Sequence, residues 1–236
     1  MLMEPEKLVS KLQNKQAGMI NFASHKMIVE ATGALIWPSQ RLLVVSDCHF
    51  EKASFLGAFA NPIPHYDSLK TLHALQNLVD YYSPEHVICL GDSFHDQNAW
   101  SRLSDSEKQA LIRLVQSRQR WTWILGNHDP ELPSELPGDH AERLVIKNLI
   151  FLHEPEQQNS DDHSQIFGHF HPKLTKTIAR HRMTGKCFMY DESKMVMPAF
   201  GAFTGGLSIK EAPLSELFNL KKSNKHLIYS NKIHAV

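Results

Sequence analysis

Five short apolar segments of the chain are each followed by side chains that can bind a metal ion. In chain order these side chains are Asp47 and His49, Asp92, Asn127, His153, and His169 and His171. Because ligands of open α/β sheets bind beyond the carboxyl ends of strands, five such endings predict one shared site. Glycine directly precedes Asp92, Asn127 and His169, which lets the backbone turn sharply and leaves room for what the side chains hold.

The spacing and the types of these residues predict two metal ions. In the D-x-H and H-x-H pairs, alternation along an extended backbone is expected to put both side chains on one face. Aspartate, histidine and asparagine form a mixed oxygen and nitrogen ligand set, which suits Mn²⁺, Fe or Zn²⁺ better than Mg²⁺. The seven side chains exceed one coordination sphere, and a carboxylate such as Asp92 can bridge. Two ions about 3.5–4 Å apart form a clamp for phosphoryl transfer.

The segments between these residues predict the elements that position them. Apolar runs predict strands at 42–45, 87–90, 121–125 and 165–167, and helical periodicity predicts helices over 67–81 and 104–119. Strand therefore alternates with helix in the first half, after a polar lead-in over residues 1–25. Hairpins are predicted around Ala31-Thr32-Gly33 and around Lys147-Asn148, and the chain beyond Pro137 has mostly short strands.

Composition and charge limit the classes of function. The 236 residues are 42% hydrophobic and include only 11 Gly and 12 Pro, which excludes a low-complexity or disordered chain. Lys and Arg together number 25, as do Asp and Glu, so no global basic field indicates a nucleic-acid partner. Three widely separated cysteines suit a reducing cytosol. Because the sequence shows neither a signal peptide nor a long apolar segment, we expect a cytoplasmic protein without membrane contact.

In this order, the D-x-H, G-D, G-N-H-D, H and G-H-x-H motifs resemble those of the calcineurin-like metallophosphoesterase superfamily. Over residues 26–209 the chain is similar to the bacterial ligase-associated DNA-damage-response phosphoesterases, which are predicted endonucleases. The segments that carry this likeness are Gly33–Pro38, Glu51-Lys52, Gly91–Asp96, Leu152–Pro155, Pro198–Gly201 and Thr204–Gly206. The resemblance implies an α/β fold, a four-layer αββα sandwich of two mixed β-sheets flanked by helices. It implies a single domain over 1–236, with a core over 26–209 and a C-terminal extension over 210–236.

The resemblance also implies a role for each site residue. One metal would be bound by Asp47, His49 and His171, and the other by Asn127, His153 and His169, with Asp92 as the bridge. His128 would be the catalytic histidine beside the scissile phosphate, Asp129 its orienting partner, and Asn127 a further substrate contact. The implied cofactors are two divalent ions per chain, Mn²⁺ first, with Fe or Zn²⁺ as alternatives.

The chain departs from the family pattern in three places. His153-Glu154-Pro155 stands where H-G-H is frequent, and Ala53 stands where the subfamily usually has glycine. The serine/threonine phosphatases of the superfamily follow G-D with D-R-G, whereas this chain has Phe94-His95-Asp96-Gln97. Without the arginine that would clamp a phosphomonoester, the site is expected to prefer phosphodiesters.

Several nearby residues have two interpretations. His95 either contacts the substrate or takes no part in substrate binding. Asp96 either orients a metal ligand or caps the following turn. The basic window over 173–194, which includes Arg180 and Arg182, either follows a nucleic-acid backbone or is a solvated hairpin face. Three aromatic residues after the first motif either stack on a base or belong to the core: Phe50, Phe55 and Phe59.

These observations leave three functions open. The first is a dinuclear metal-dependent phosphodiesterase, a DNA endonuclease in repair, in which a metal-bridging hydroxide attacks phosphorus in line and His128 assists the leaving group. The second keeps the site but takes a small nucleotide or a phosphomonoester, which the neutral net charge favours. The third is a catalytically weak scaffold in a DNA ligase-associated complex, although the complete ligand set argues against it. By family resemblance, a DNA ligase or a helicase is the expected protein partner.

Overall fold

The computed structural model describes residues 5–52, 67–156, 163–178, 180–202 and 204–236. Ala53, Phe55 and Phe59, which the sequence analysis considered, lie outside the described residues. The described helices are α1 (Pro5–Gln13), α2 (Asp67–Tyr82), α3 (Ala99–Arg102), α4 (Asp105–Gln116) and α5 (Leu214–Leu217), with a short 3₁₀ helix at Pro38–Gln40. None of these helices is long and apolar enough to cross a membrane.

The first sheet is mixed and contains seven strands in chain order. They are β1 (Ala17–Phe22), β2 (His25–Glu30), β3 (Leu35–Trp37), β4 (Leu42–Ser46), β5 (His86–Leu90), β6 (Arg120–Ile124) and β7 (Asp139–Ala141). Strands β1 to β4 pair antiparallel, whereas β4 to β7 pair parallel. The parallel part holds three of the four strands that the apolar runs predict, at 42–45, 87–90 and 121–125, and the fourth, at 165–167, lies in the second sheet.

Apolar residues cover both faces of this parallel part, as parallel sheets require. In β4, Leu43 and Val45 pack toward the helices, while Leu42 and Val44 pack toward the second sheet. Because successive side chains of a strand point to opposite faces, a continuous apolar run is what this position needs. The predicted helices are confirmed: α2 packs Leu72, Leu75 and Leu78 onto the sheet, and α4 packs Leu111 and Leu114.

Helix α4 begins at a capping box formed by Ser104 and Glu107. The Ser104 hydroxyl accepts the N–H of Glu107 at 3.3 Å, and the Glu107 carboxylate accepts the N–H of Ser104 at 3.0 Å. This reciprocal pair satisfies two backbone donors that the first turn of a helix leaves without partners. The start of α4 is therefore set locally by the sequence.

The second sheet is also mixed. Its strands are β8 (Arg143–Ile146), β9 (Leu149–Leu152), β10 (Ser164–Phe167), β11 (Lys173–Ile178), β12 (His181–Tyr190), β13 (Lys194–Val196), β14 (Asn224–Tyr229) and β15 (Lys232–Ala235). They lie in the order β15-β14-β12-β13-β10-β9-β8, with β11 paired to β12 alone. Strands β9, β10 and β13 are parallel, and the other pairs are antiparallel.

The two sheets pack face to face between helical layers. Val44 and Ile88 of the first sheet meet Phe151 and Phe188 of the second in one buried cluster. The outer face of the second sheet is covered by Leu214 and neighbouring residues of α5 and its flanking loops. The expected sandwich of two mixed sheets flanked by helices is therefore confirmed, although the layer over the second sheet contains only a short helix.

Both ends of the chain contribute strands that the sequence analysis does not predict. The lead-in contains α1 and β1, and β1 pairs with β2 along its whole length. The C-terminal extension contains β14 and β15, and β14 pairs with β12. Leu227 in β14 and Ile233 in β15 are buried among mostly polar neighbours. Strands with so few buried apolar residues give little hydrophobic pattern, which explains why they were missed.

Candidate metal centre

The predicted ligands meet where the parallel strands of both sheets end. Asp47 follows β4 and Asp92 lies two residues beyond β5, while His153 and His169 follow β9 and β10 of the second sheet. Asn127 lies in the loop after β6. The carboxyl ends of parallel strands lie at one edge of a sheet, and packing two sheets together places both edges around one site. The structure therefore brings the predicted ligands together at one place.

The first group of ligand atoms comes from Asp47, His49 and His171. The Nε2 atom of His171 lies 3.2 Å from Nε2 of His49 and 3.2 Å from Oδ1 of Asp47. Metal–nitrogen bonds of about 2.1 Å put neighbouring ligand atoms of an octahedron about 3 Å apart. These separations therefore suit ligands of a single ion.

The second group contains Asp92, His153 and His169, and Asn127 joins it. Nε2 of His153 lies 3.4 Å from Oδ2 of Asp92 and 3.2 Å from Nδ1 of His169. The Asn127 carbonyl oxygen is 2.9 Å from His153 Nε2 and 3.1 Å from His169 Nδ1. Two nitrogens and two oxygens thus converge on one point.

One oxygen of Asp92 reaches toward both groups. Its Oδ2 atom lies 3.4 Å from Nε2 of His153 in the second group and 3.9 Å from Nε2 of His49 in the first. The other oxygen, Oδ1, accepts the backbone N–H of His128 at 2.9 Å. That hydrogen bond fixes the carboxylate, so Asp92 stands where a shared ligand would have to stand.

The backbone of the ligand pairs is not extended, which corrects the reasoning from strand alternation. Asp47 and His49 have φ angles of 53° and 45°, and His169 and His171 have 67° and 46°. These are left-handed conformations, in which aspartate and histidine occur more often than most residues with a Cβ atom. The paired side chains therefore converge because the chain turns tightly after each strand. Such conformations cost roughly 1–3 kcal/mol each and are common at functional sites.

All three glycines leave the space that the sequence analysis expects, and at Gly126 a Cβ atom would lie 2.3 Å from Oδ1 of Asp92. Gly91 has a φ of 66°, and a Cβ atom there would lie 2.2 Å from Nδ1 of His153. At Gly168 a Cβ atom would lie 1.8 Å from the Ser46 hydroxyl. A side chain at any of these positions would displace groups that support the ligands.

Hydrogen bonds behind the ligands fix their orientation. The N–H of His169 donates to both oxygens of Asp47, at 3.2 and 3.1 Å, which links the first sheet to the second. The Ser46 hydroxyl donates to Asp47 as well. Nδ1 of His153 lies 3.1 Å from the Leu90 carbonyl, so its N–H donates there and Nε2 faces the other ligands. Metal-binding histidines are usually held in this way through their second nitrogen.

The surroundings of His49, Asp92 and Asp47 keep these side chains unprotonated, so that their lone pairs can bind a metal ion. Burial lowers the pKa of His49 to about 3, so its imidazole is neutral at pH 7. Burial alone would raise the pKa of Asp92, but the hydrogen bond and charge of His153 lower it below its usual range. Burial likewise opposes ionisation of Asp47, and His171 and His153 nevertheless lower its pKa. Both carboxylates are therefore ionised near neutral pH.

The pKa of the His153 ring is raised instead. Burial lowers it, but the hydrogen bond to Asp92 and the charges of Asp47 and Asp92 raise it to about 9. This imidazole must give up a proton to bind a metal ion, because only the neutral ring offers a lone pair. Neutral imidazoles, carboxylates and an amide oxygen make a donor set that fits two borderline divalent cations.

His128 lies beside the ligands without joining either group. Its Nε2 atom is 4.0 Å from Oδ2 of Asp92, and 41% of its side chain is exposed. Its Nδ1 atom lies 2.9 Å from the carbonyl oxygen of His95, and the two imidazole rings are stacked with centroids 5.4 Å apart. Nε2 is thus the nitrogen left to face a bound molecule.

Asp129 does not have the position expected of an orienting partner for His128. Its carboxylate oxygens accept the backbone N–H groups of Phe94, at 3.0 Å, and Gly126, at 3.1 Å. Burial raises its pKa to about 7, with a further contribution from the Asp92 charge and opposition from the Phe94 N–H. Asp129 therefore joins the loops after β5 and β6, and the His95 carbonyl is the group that contacts the His128 ring.

Asp96 caps the turn that follows it, which is one of the two roles predicted for it. It accepts the N–H of Asn98 at 2.8 Å, which caps the turn before α3. Its two oxygens also pair with the two terminal nitrogens of Arg102, at 2.9 and 2.5 Å. Arg102 was not singled out from the sequence, and its spacing of six residues from Asp96 gave no recognisable motif.

The basic window over 173–194 divides into residues with different roles. The half-buried Lys186 ammonium donates to the carbonyls of Ala199, at 2.7 Å, and Gly201, at 2.9 Å. Gly201 in turn donates its N–H to the Asp47 carbonyl at 3.1 Å. Lys186 therefore supports the first ligand loop and does not belong to a DNA-binding face. Arg180 and Arg182 are exposed near the turn of the β11–β12 hairpin, and their substrate role stays a prediction.

Phe50 belongs to the core. It is 2% exposed and packs against Phe94 with ring centroids 5.7 Å apart. The interpretation that it stacks on a base is therefore wrong. His95 is adjacent to the site, because its ring lies 5.5 Å from His49 and stacks on His128, and its contact with the substrate stays a prediction.

Comparison with known proteins agrees with the site. Among solved structures, the nuclease MPE of Pseudomonas putida is 26% identical with a TM-score of 0.73, and the alignment covers 93% of this chain and 100% of that one. YfcE, a phosphoesterase from E. coli, is 13% identical with a TM-score of 0.42, covering 83% of this chain and 97% of that one. No curated protein sequence matched the chain.

The sequence model of the calcineurin-like phosphoesterase family matches residues 40–201. Since that match includes all five strand ends and both His/Asp groups, the chain belongs to the calcineurin-like phosphoesterase family of metal-dependent hydrolases.

Proposed function

We propose that this protein is a dinuclear metal-dependent phosphodiesterase that cleaves DNA as an endonuclease during repair. The observation that carries the proposal is the position of Asp92, whose Oδ2 atom lies between two complete ligand groups. Paired metal sites of this kind suit in-line displacement at phosphorus. The likeness to the Pseudomonas nuclease MPE supports a nucleic-acid substrate. The resemblance noted in the sequence further favours a DNA ligase or a helicase as a partner.

The proposal assigns each ligand to an ion. The first ion would be held by Asp47, His49 and His171, the second by Asn127, His153 and His169, and Asp92 would contact both. When bound, two divalent cations, for which Mn²⁺ is our first choice, make water a stronger nucleophile at neutral pH and neutralise charge on the phosphoryl oxygens. The protein keeps the ligands in place through the Leu90 carbonyl behind His153 and the His128 N–H behind Asp92.

His128 would protonate the leaving oxygen. Its Nδ1–H donates to the His95 carbonyl, so a proton on Nε2 is the one available for transfer. The side chain is partly exposed beside Asp92, where a substrate would lie. A general acid in this position stabilises the alkoxide that departs from an alkyl phosphodiester.

The substrate class can be tested with three phosphate esters. We expect Mn²⁺-loaded protein to hydrolyse bis(p-nitrophenyl) phosphate with a higher kcat/KM than p-nitrophenyl phosphate. The reason is that the chain lacks the D-R-G arginine that would clamp a phosphomonoester and has Asp96 in that segment. We also expect it to cleave circular single-stranded DNA, which has no ends and therefore reports endonuclease action alone. Initial rates and gel electrophoresis measure the two reactions.

Three outcomes would contradict this function in whole or in part. A preference for p-nitrophenyl phosphate would exclude the phosphodiesterase assignment. Cleavage of the diester dye without any cleavage of DNA would exclude the nuclease and favour a small nucleotide as substrate, in keeping with the zero formal net charge. Protein that binds two metal ions but hydrolyses no ester would instead fit a scaffold.

We further predict that Arg180 and Arg182 contact the DNA backbone. Replacing both by alanine should weaken DNA cleavage and reduce the salt dependence of kcat/KM by about one counterion per lost contact. Hydrolysis of bis(p-nitrophenyl) phosphate should hardly change. Arg113→Ala, which removes an exposed arginine from α4, is the matched control. Equal losses on DNA and on the dye would show that the two arginines support the fold instead.

A further inference from the structure

Glu154 directly follows the predicted ligand His153, where the superfamily frequently has the glycine of H-G-H. The backbone on both sides of Glu154 is held against β10. The His153 carbonyl accepts the N–H of Gly168 at 3.1 Å. The N–H of Glu156 donates to the side-chain oxygen of Gln165 at 3.1 Å, and the Gln165 amide donates to the Glu156 carbonyl at 3.1 Å. The main chain therefore fixes where the Glu154 side chain begins.

The Glu154 carboxylate lies beside the second ligand group. Its Oε1 atom is 3.5 Å from Nδ1 of His169. That nitrogen also lies 3.1 Å from the Asn127 carbonyl oxygen and 3.2 Å from Nε2 of His153, so it is the nitrogen that faces the group. Together with Asn127 and His153, Glu154 lines a cleft of about 260 Å³. Its side chain is 55% exposed, so the carboxylate lies on the open side of the second group.

His169 is the positive partner of this carboxylate. Within the described ranges of the chain, the contact with His169 is the one ion pair that Glu154 forms. The arginine of the same cleft, Arg143, is paired with Glu156 at 3.1 Å. A bound metal ion would replace the proton on Nδ1 of His169. The ion would then take the place of that proton as the positive partner of Glu154.

From these contacts we infer that Glu154 is a further ligand of the second metal ion. The inference rests on the proposed function, because it takes the second ligand group to hold an ion. Neighbouring ligand atoms of one octahedral ion lie about 3 Å apart, so Oε1 of Glu154 has to approach Nδ1 of His169 by about 0.5 Å. A change of rotamer in an exposed glutamate side chain covers that distance.

The added carboxylate should change which metal ion the second group prefers. Without Glu154, the group offers two nitrogens and two oxygens, which is enough for the four-coordinate sites that Zn²⁺ favours. Mn²⁺ takes six ligands and suits carboxylate oxygens, so it gains more from a fifth protein ligand. Glu154 is therefore expected to favour Mn²⁺ over Zn²⁺ at this position.

The test measures the binding of Mn²⁺ and of Zn²⁺ to the wild type and to Glu154→Gln. Glutamine keeps the length of the side chain and removes its charge. We expect the variant to bind the second Mn²⁺ at least about 10-fold more weakly than the wild type, and the second Zn²⁺ at most about threefold more weakly. Competition with a fluorescent chelator measures the dissociation constants, and elemental analysis measures the number of ions. Glu192→Gln, at an exposed glutamate between β12 and β13, is the matched control and should change neither.

Two results would overturn the inference. A dissociation constant for the second Mn²⁺ within about twofold of the wild type would show that the carboxylate does not bind the ion. Equal weakening of Mn²⁺ and Zn²⁺ binding would show that Glu154 only orients His169, which both ions need. The substitution should leave the fold intact, because the side chain is more than half exposed. Failure of the proposed function is distinguishable, because it would appear as a wild type that binds fewer than two ions.

Discussion

Replacing Asp92 by alanine should cause the largest loss of bound metal of any single substitution in the chain. The wild type is expected to hold about two ions, and Asp92→Ala less than one, because Oδ2 of Asp92 is the oxygen that lies near both ligand groups. Without its charge, two cations about 3.5–4 Å apart would repel each other with no shared anion between them. Elemental analysis after gel filtration measures the metal content.

Turnover on bis(p-nitrophenyl) phosphate should fall at least about 10³-fold in the same variant, because both the ions and their alignment are lost. Asp139→Ala is the matched control, since Asp139 is an exposed carboxylate paired with Arg120 and should change neither metal content nor rate. Full metal content together with full activity in Asp92→Ala would contradict the dinuclear site. Full metal content with low activity would instead show that Asp92 contributes to catalysis but is not needed to bind the metal ions.

The strands that carry this site could be predicted because burial on both faces leaves a clear pattern. Strand β4 has five buried residues in succession, and β5 has four. Such runs next to an Asp or a Gly-Asp pair are visible in one sequence. By contrast, β12 begins with exposed or partly exposed residues and continues into four buried ones, so only its second half, from Cys187, has an apolar pattern.

The identity of the ligands was predictable, but the way in which they converge was not. Residue types and order suffice to select Asp47 and His49 as a pair. Their left-handed backbone depends on the Phe200 and Gly201 N–H groups, which bond to the Ser46 and Asp47 carbonyls from a loop more than 150 residues later. A contact of that range leaves no local signal in the sequence.

The same limit explains Asp129. Its position next to His128 in the sequence suggested that the two side chains interact. Its burial, at 1% exposure, instead turns the carboxylate toward the N–H groups of Phe94 and Gly126. A buried carboxylate needs hydrogen-bond donors, and the loop after β5 supplied one that no sequence pattern indicated. Neighbours along the chain were therefore a poor guide to partners.

Replacing His128 by alanine should separate catalysis from metal binding. Alanine keeps the backbone N–H that donates to Oδ1 of Asp92, so the metal ligands should stay in place and the protein should still hold about two ions. Turnover of DNA should fall by roughly 10²–10⁴, the range expected for loss of a positioned general acid. The loss should be much smaller on bis(p-nitrophenyl) phosphate, because p-nitrophenolate leaves without needing a proton.

The comparison of leaving groups decides what the His128 ring does. His140→Ala, at an exposed histidine of β7, is the matched control and should leave metal content and both rates unchanged. Equal losses on DNA and on the dye ester would assign His128 to stabilising phosphoryl charge, since that need does not depend on the leaving group. Loss of metal would place the ring among the ligands, against its distance of 4.0 Å from Asp92. A leaving-group-dependent loss at constant metal content is the result that proton transfer from Nε2 requires.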